Sequence, residues 1–331
     1  MESERNKRSD MTKESLPEEL RSQGIVARDP HSLKLFSDAL LIAPTQPNVL
    51  IVGESGTGKG LLARFLHDHS PRRDKPFVHV NCSAIPAELF EAEFFGYESG
   101  TFTGQLADSK KGLVSQAAGG SLFLDEIGDL TPSLQAKLLQ VIQEHQVRSL
   151  GSTLAKELDI RLIAATNRDL ASMVQSGRFR LDLYYRLNVV TLEIPPLRQR
   201  RQDVKELLEV LSERYAAKGS DKKTFLPDAV AWLQEQDWPG NIREMQNFME
   251  RLYVLETRTE LDADYLKERY HFPAFRTASA PPEPNILPLS AAVARFEREY
   301  IASVLQKTPN MMAAASILGV DVSLLNRKLR Q

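Results

Sequence analysis

Between residues 24 and 196, short apolar runs alternate with stretches whose apolar residues recur every three or four positions. NVLIVG (48–53), PFVHVNCS (76–83), SLFLDEI (121–127), DIRLIAATN (159–167) and VVTLEIP (189–195) are too uniformly apolar for one-faced strands. They read as strands buried on both faces. Between them, LLARFLHDH (61–69) and PSLQAKLLQVIQEH (132–145) carry helical spacing. The second opens with Thr131 placed to cap and Pro132 in the first helical position. This alternation predicts an α/β fold, a parallel sheet with helices on both faces. From LRQRRQDVKELLEVLSERY (197–215) to about Tyr270 the pattern turns wholly helical. FPAFRTASAPPEPNILP (272–288), rich in Pro, Ala and Ser, reads as a linker, and the remainder as a small helical unit. The polar, mixed-charge start reads as disordered. The predicted division is therefore a disordered segment 1–23, an α/β body 24–196, a helical subdomain 197–270, a linker 271–287 and a helical tail 288–331. No internal repeat is visible.

Composition narrows the class. A chain of 331 residues with 42% hydrophobic and 26% charged residues is long enough for two or three domains of ordinary globular type. The net charge of −2 announces neither nucleic acid nor a membrane surface, so any basic patch must be local. A single cysteine, Cys82, excludes an internal disulfide framework and fits a reducing compartment. No apolar run approaches the roughly 20 residues that cross a bilayer, and the charged start lacks a secretory h-region. The expectation is a cytoplasmic protein.

Chemistry enters with NVLIVGESGTGKG (48–60), a strand running into G-x-x-x-x-G-K and a helix. Gly53, Gly56 and Gly58 let backbone N–H groups turn inward around phosphate oxygens, with Glu54, Ser55, Thr57 and Gly60 completing the loop. Lys59 supplies a cation at a helix N-terminus. Gly60 stands where the general motif has a Ser or Thr hydroxyl for Mg²⁺, which throws metal binding onto carboxylates and water. Those are present in GGSLFLDEIGDL (119–130), which ends an apolar strand in Asp125 and Glu126. Asp125 is the expected Mg²⁺ ligand, and Glu126 the group that polarises the attacking water. Together these imply ATP hydrolysis.

The density of these motifs resembles the AAA+ bacterial enhancer-binding proteins, the NtrC-like activators of sigma-54 RNA polymerase, over about 24–270 and again at the C-terminus. Gly100-Thr101-Phe102-Thr103-Gly104-Gln105 resembles the family's GAFTGA loop, which implies that Phe102 and Thr103 engage sigma-54. The family usually has alanine where Thr101 and Gln105 stand, and glutamate at Gly60. By the same resemblance, Asn81 in VNCSA switches Glu126 between idle and active positions, and Thr166 and Asn167 in AATN read the γ-phosphate. Arg180 and Arg186 in GRFRLDLYYRL serve a neighbouring subunit's nucleotide, and Arg243 in WPGNIREM reaches the phosphates from a helical lid. Each has a plainer alternative: Asn81 capping a turn, Arg180 and Arg186 as surface charges beside Asp182, Arg243 pairing with Glu244. The resemblance further implies a ring, expected as a hexamer.

In the tail, MMAAASILGVDVSLLNRKLRQ (311–331) reads as helix, turn at Gly319, and second helix. Residues 288–331 hold six basic against three acidic residues, a local positive bias. The unit resembles a Fis-type helix-turn-helix, with AAVARFEREYIASVLQ (291–306) as a dimer helix. Ser323, Asn326 and Arg327 are the candidates for base edges or nearby phosphates, and Lys328 and Arg330 for the DNA backbone. With only about 23 residues before the α/β body, no receiver or GAF module is expected ahead of it, which leaves a partner in trans, another subunit or a removed domain to carry the signal. Two rival readings stay open: a DNA-bound regulator of the same descent whose altered loop does not work sigma-54, and a protein-remodelling AAA+ ATPase of chaperone type.

Overall fold

The computed structural model describes residues 16–98, 109–270, 272, 297, 300, 301, 304, 308 and 310–329, without the side chains of Ala87 and 326–329. The chain divides into two compact units, 1–274 and 275–331.

The first unit is built on five parallel strands: β1 (Val49–Val52), β2 (Phe77–Asn81), β5 (Ser121–Asp125), β8 (Arg161–Thr166) and β9 (Val190–Glu193), ordered β2-β5-β8-β1-β9. Alternate residues feed two different cores, as the pleat requires. Leu50, Leu122, Leu124, Leu162 and Ala164 face one layer. Ile51, Phe123, Ile163 and Ala165 face the other. The first layer is covered by α4 (Ala87–Phe95), α6 (Pro132–Glu144) and α8 (Leu181–Leu187), the second by α1 (Leu16–Ser22), α2 (Pro30–Ile42) and α3 (Lys59–Asp68). The short helices α5 (Leu113–Gln116) and α7 (Leu170–Gln175) add Val114, Leu170 and Met173 to the first layer. Two antiparallel pairs, β3 (Gly96–Tyr97) with β4 (Lys110–Lys111) and β6 (Gln146–Val147) with β7 (Lys156–Glu157), complete the body.

The helical subdomain comprises α9 (Gln202–Ala216), α10 (Pro227–Glu235), α11 (Asn241–Leu255) and α12 (Ala263–Arg269). Trp238, Phe248 and Leu252 are fully buried at its centre. Its expected all-helical character is interrupted by a short parallel pair, β10 (Thr224–Phe225) with β11 (Glu260–Leu261).

Four further expectations are corrected. Residues 16–22, assigned to a disordered start, form α1, with Leu16 and Leu20 one turn apart and buried in the second core layer. The five strands are not all buried on both faces: β8 is buried throughout, but β2 and β9 are the sheet edges and half-open. The Thr131 hydroxyl lies at the N-cap position but bonds the Ser133 hydroxyl rather than the helix backbone. Phe272, placed in the linker, stacks edge-on with Trp238 and packs on Phe248, so the helical core reaches at least that residue.

In the second unit, α13 (Met311–Leu318) and α14 (Val322–Leu329) are joined through Gly319 at φ +66°, a left-handed turn that suits glycine. Asn310 caps α13, and Asp321 accepts from the Leu324 N–H at the start of α14. Leu325 is buried with Ala314 and Ala315, whose small side chains let the helices approach.

Candidate nucleotide site

The phosphate-binding residues occupy the turn between the C-terminal end of β1 and α3, at the edge where open parallel sheets hold ligands. A Cβ on Gly56 (φ +78°) would lie 2.3 Å from the Gly240 carbonyl, so only glycine lets the loop and the α11 entry approach this closely. Lys59 is buried at the first turn of α3, where its ammonium donates to the Gly53 and Glu54 carbonyls at 3.1 and 3.3 Å. Its Nζ also lies 3.4 Å from Glu126 Oε1. The P-loop cation and the expected catalytic carboxylate, 67 positions apart in sequence, are thus neighbours.

Asp125 ends β5. Burial is the largest influence on its carboxyl and pushes the pKa up, but the His79 ring, the Lys59 charge and the Glu126 N–H together hold it below the ordinary value. Glu126 follows in a left-handed conformation (φ +52°), and its Oε2 accepts from the Asn167 N–H at 3.3 Å. Beside them, burial and the nearby carboxylates push the Cys82 thiol up to about 12, so it is no nucleophile at neutral pH.

The remaining candidates divide. Thr166 is fully buried and its hydroxyl accepts from the Arg168 N–H, while Asn167 is exposed at the strand end. Asn81 accepts from the Ser83 N–H and hydroxyl, closing a turn rather than holding Glu126. Arg243 donates to the Ser55 hydroxyl at 2.8 Å, and Glu244 instead accepts from the Gly240 N–H. Arg180 and Arg186 are exposed on and beside α8, with Arg180 forked onto Asp182. Ser323 is exposed and its hydroxyl is engaged by Asp321. Gly100, Thr101, Phe102, Thr103, Gly104 and Gln105 lie outside the described residues, as do Arg330 and the side chains of Asn326, Arg327 and Lys328.

Several groups escaped the sequence reading. The His79 ring lies 3.7 Å from Asp125. Arg198 clamps Glu54 with both nitrogens of its fork, at 2.9 and 2.6 Å, and holds that carboxyl below its usual range. Arg200, almost wholly buried, donates to the Thr57 carbonyl. A partly open cavity of about 90 Å³ lies beside Thr57 and Gly58, walled by Ile25, Val26, Leu35, Leu62, Leu211 and Ile242. An apolar slot adjoining a phosphate cradle suits a planar base. Its walls come from four distant segments, which no local motif records.

This combination, a parallel sheet with a glycine-rich loop, strand-end acids and a helical lid on that loop, defines an AAA+ ATPase module. Residues 25–193 match the family model of the Sigma-54 interaction domain, and residues 198–281 that of the AAA+ ATPase lid domain. The transcriptional regulatory protein ZraR of Escherichia coli (strain K12) is 45% identical over 311 residues, covering 92% of this chain and 68% of ZraR. The alginate biosynthesis regulator AlgB of Pseudomonas aeruginosa is 41% identical over 321 residues, covering 96% and 70%. The crystal structure of NtrX from Brucella abortus in complex with ATP is similar with a TM-score of 0.68 and 34% identity, covering 99% of this chain and 72% of that one. The chain belongs to the NtrC-like, sigma-54-dependent transcriptional regulators. It is a nucleotide-binding ATPase whose partner is sigma-54 RNA polymerase. Among the described residues no helix is long and apolar enough to cross a membrane.

Proposed function

We propose that the protein is a cytoplasmic, DNA-bound activator that assembles as a hexameric ring and uses ATP hydrolysis to drive open-complex formation by sigma-54 polymerase. The observation that carries this reading is the meeting of Lys59, Glu126 and the lid's Arg243–Ser55 contact at one sheet edge of a sigma-54 interaction domain. In it, the loop N–H groups and Lys59 hold the phosphates, and Glu126 polarises the water that attacks the γ-phosphate. Asn167 and Thr166 read that phosphate, and Asn81 takes Glu126 in the idle state. The oxygens of Asp125 form a hard, anionic donor set that suits Mg²⁺, which when bound supplies charge neutralisation to the phosphates. Arg180 and Arg186, exposed in the single chain, reach the neighbour's nucleotide.

The exposed Ser323 at the start of α14, with Asn326, Arg327, Lys328 and Arg330, contacts DNA at an enhancer-like site, as the helix–turn–helix shape of 311–329 and the basic bias of 288–331 support. The segment from Gly100 to Gln105, flanked by the β3–β4 pair, pushes on the polymerase through Phe102.

The test is open-complex formation in vitro with sigma-54 holoenzyme, ATP and template, comparing the natural chain with Phe102→Ala. Heparin-resistant complexes are expected with the natural chain only, ATPase rates remaining within about threefold of each other. ATP hydrolysis and site-specific DNA binding without any open complex would instead support a regulator whose altered loop no longer works sigma-54.

A further inference from the structure

Four consecutive residues of the phosphate loop are each bound from the lid side. Glu54 is forked by Arg198 and touched by the Asn241 amide at 3.2 Å. The Ser55 carbonyl accepts from Asn241 and its hydroxyl from Arg243. The Gly56 carbonyl accepts from the Ile242 N–H, and the Thr57 carbonyl from Arg200. Asn241 is completely buried, sits at φ +53°, and accepts from the Leu197 N–H at 2.7 Å, so its amide is fixed on both sides. A peptide's carbonyl and N–H are rigidly coplanar. A lid that grips the loop carbonyls therefore also sets the direction of the N–H groups that face a phosphate.

We infer that Glu54, with Arg198 and Asn241, forms a clasp that makes lid position and phosphate-loop shape a single variable, and that these three are positioning residues for ATP turnover. The backbone contacts to Ser55, Gly56 and Thr57 do not depend on loop side chains. The Glu54–Arg198 fork does, and charge-assisted bidentate pairs are geometrically demanding. Releasing it leaves Lys59 and the α3 N-terminus to bind phosphate but leaves the lid held by the backbone contacts alone, so Arg243 is less firmly fixed on Ser55. The cost falls on turnover more than on nucleotide affinity. This rests on the loop being the phosphate cradle.

The experiment measures ATPase rate, at protein concentrations where specific activity has reached its plateau, and affinity for a fluorescent ADP analogue. The variants are Arg198→Ala, Glu54→Ala, their double, Arg198→Lys and Lys59→Ala. Arg198→Ala and Glu54→Ala are each expected to lower kcat about tenfold with ADP affinity within about threefold of the natural chain. The double variant should be no slower than the worse single, since both remove one interaction. Arg198→Lys, which keeps a cation near Glu54 but loses the two-point fork, should recover only part of the kcat lost in Arg198→Ala. Additive losses, or ADP affinity falling as far as kcat, would overturn the clasp. Lys59→Ala binding the analogue as tightly as the natural chain would instead remove the cradle reading on which the clasp depends.

Discussion

Glu126 shows how much of the chemistry is decided at one residue. Its left-handed backbone is costly for a residue with a β-carbon, about 1–3 kcal/mol, and persists only where surroundings enforce it. Here the Asp125 carboxylate accepts from the Glu126 N–H, while Lys59 lies on Oε1 of Glu126 and the Asn167 N–H donates to its Oε2. The strain turns the side chain from the strand end toward the phosphate loop. Glu126→Gln keeps the shape and an oxygen for Asn167 while removing the base. ATP binding should persist and kcat should fall by about 10²–10⁴, the usual worth of a positioned base. Single-turnover assays with labelled ATP check this, and near-normal hydrolysis would remove Glu126 from its role. The loop, Asp125 and Glu126 were legible because each motif is contiguous. Arg198 and Asn241 were not, because they reach Glu54 across 144 and 187 positions: Asn241 lies in the quoted WPGNIREM stretch, but nothing local names its partner.

At the scale of elements, α1 carries a similar lesson. With seven residues and two buried leucines, it offers too short a window for helical periodicity to stand out from its charged neighbours. Its burial is tertiary: Leu16 and Leu20 enter the same layer as Phe36 and Leu62, and Arg21 pairs with Glu206 on α9. Leu20→Ala should cost about 2–5 kcal/mol, the range for truncating a fully buried leucine. Arg21→Ala, which breaks half-exposed ion pairs, should cost less than about 1 kcal/mol. Chemical denaturation of the two variants measures the difference, and equal losses would mean that α1 is held by charge rather than by its leucines. The edge strands were misread for the opposite reason. VVTLEIP has the composition of a buried strand, and only the sheet order shows that among the described residues β9 has no neighbour on one side. Strand order is a property of the whole sheet, not of any strand's sequence.

For the whole molecule, the open question is which nucleotide the α8 arginines serve. Among the described residues, neither Arg180 nor Arg186 bonds the phosphate loop or the strand-end acids: Arg180 lies on Asp182, and the Arg186 backbone carbonyl receives Asn48. Leu181 and Tyr185 are exposed on the same helix, at 53% and 67%, giving the arginines an apolar setting that a neighbouring chain can cover. If the site is completed between chains, a subunit lacking Arg186 still holds a usable Glu126, and a Glu126→Gln subunit still donates Arg186. Neither variant alone should turn over. In an equimolar mixture, about a quarter of head-to-tail junctions pair an intact carboxylate with an intact arginine, provided subunits exchange freely. Mixing Arg186→Ala with Glu126→Gln should therefore recover about a quarter of natural turnover if junctions act independently, rising with total protein as rings form. A mixture no more active than its components would show that Arg186 acts within its own chain. Such a result would require each chain to rearrange α8 toward its own phosphate loop, and dilution would then leave specific activity unchanged.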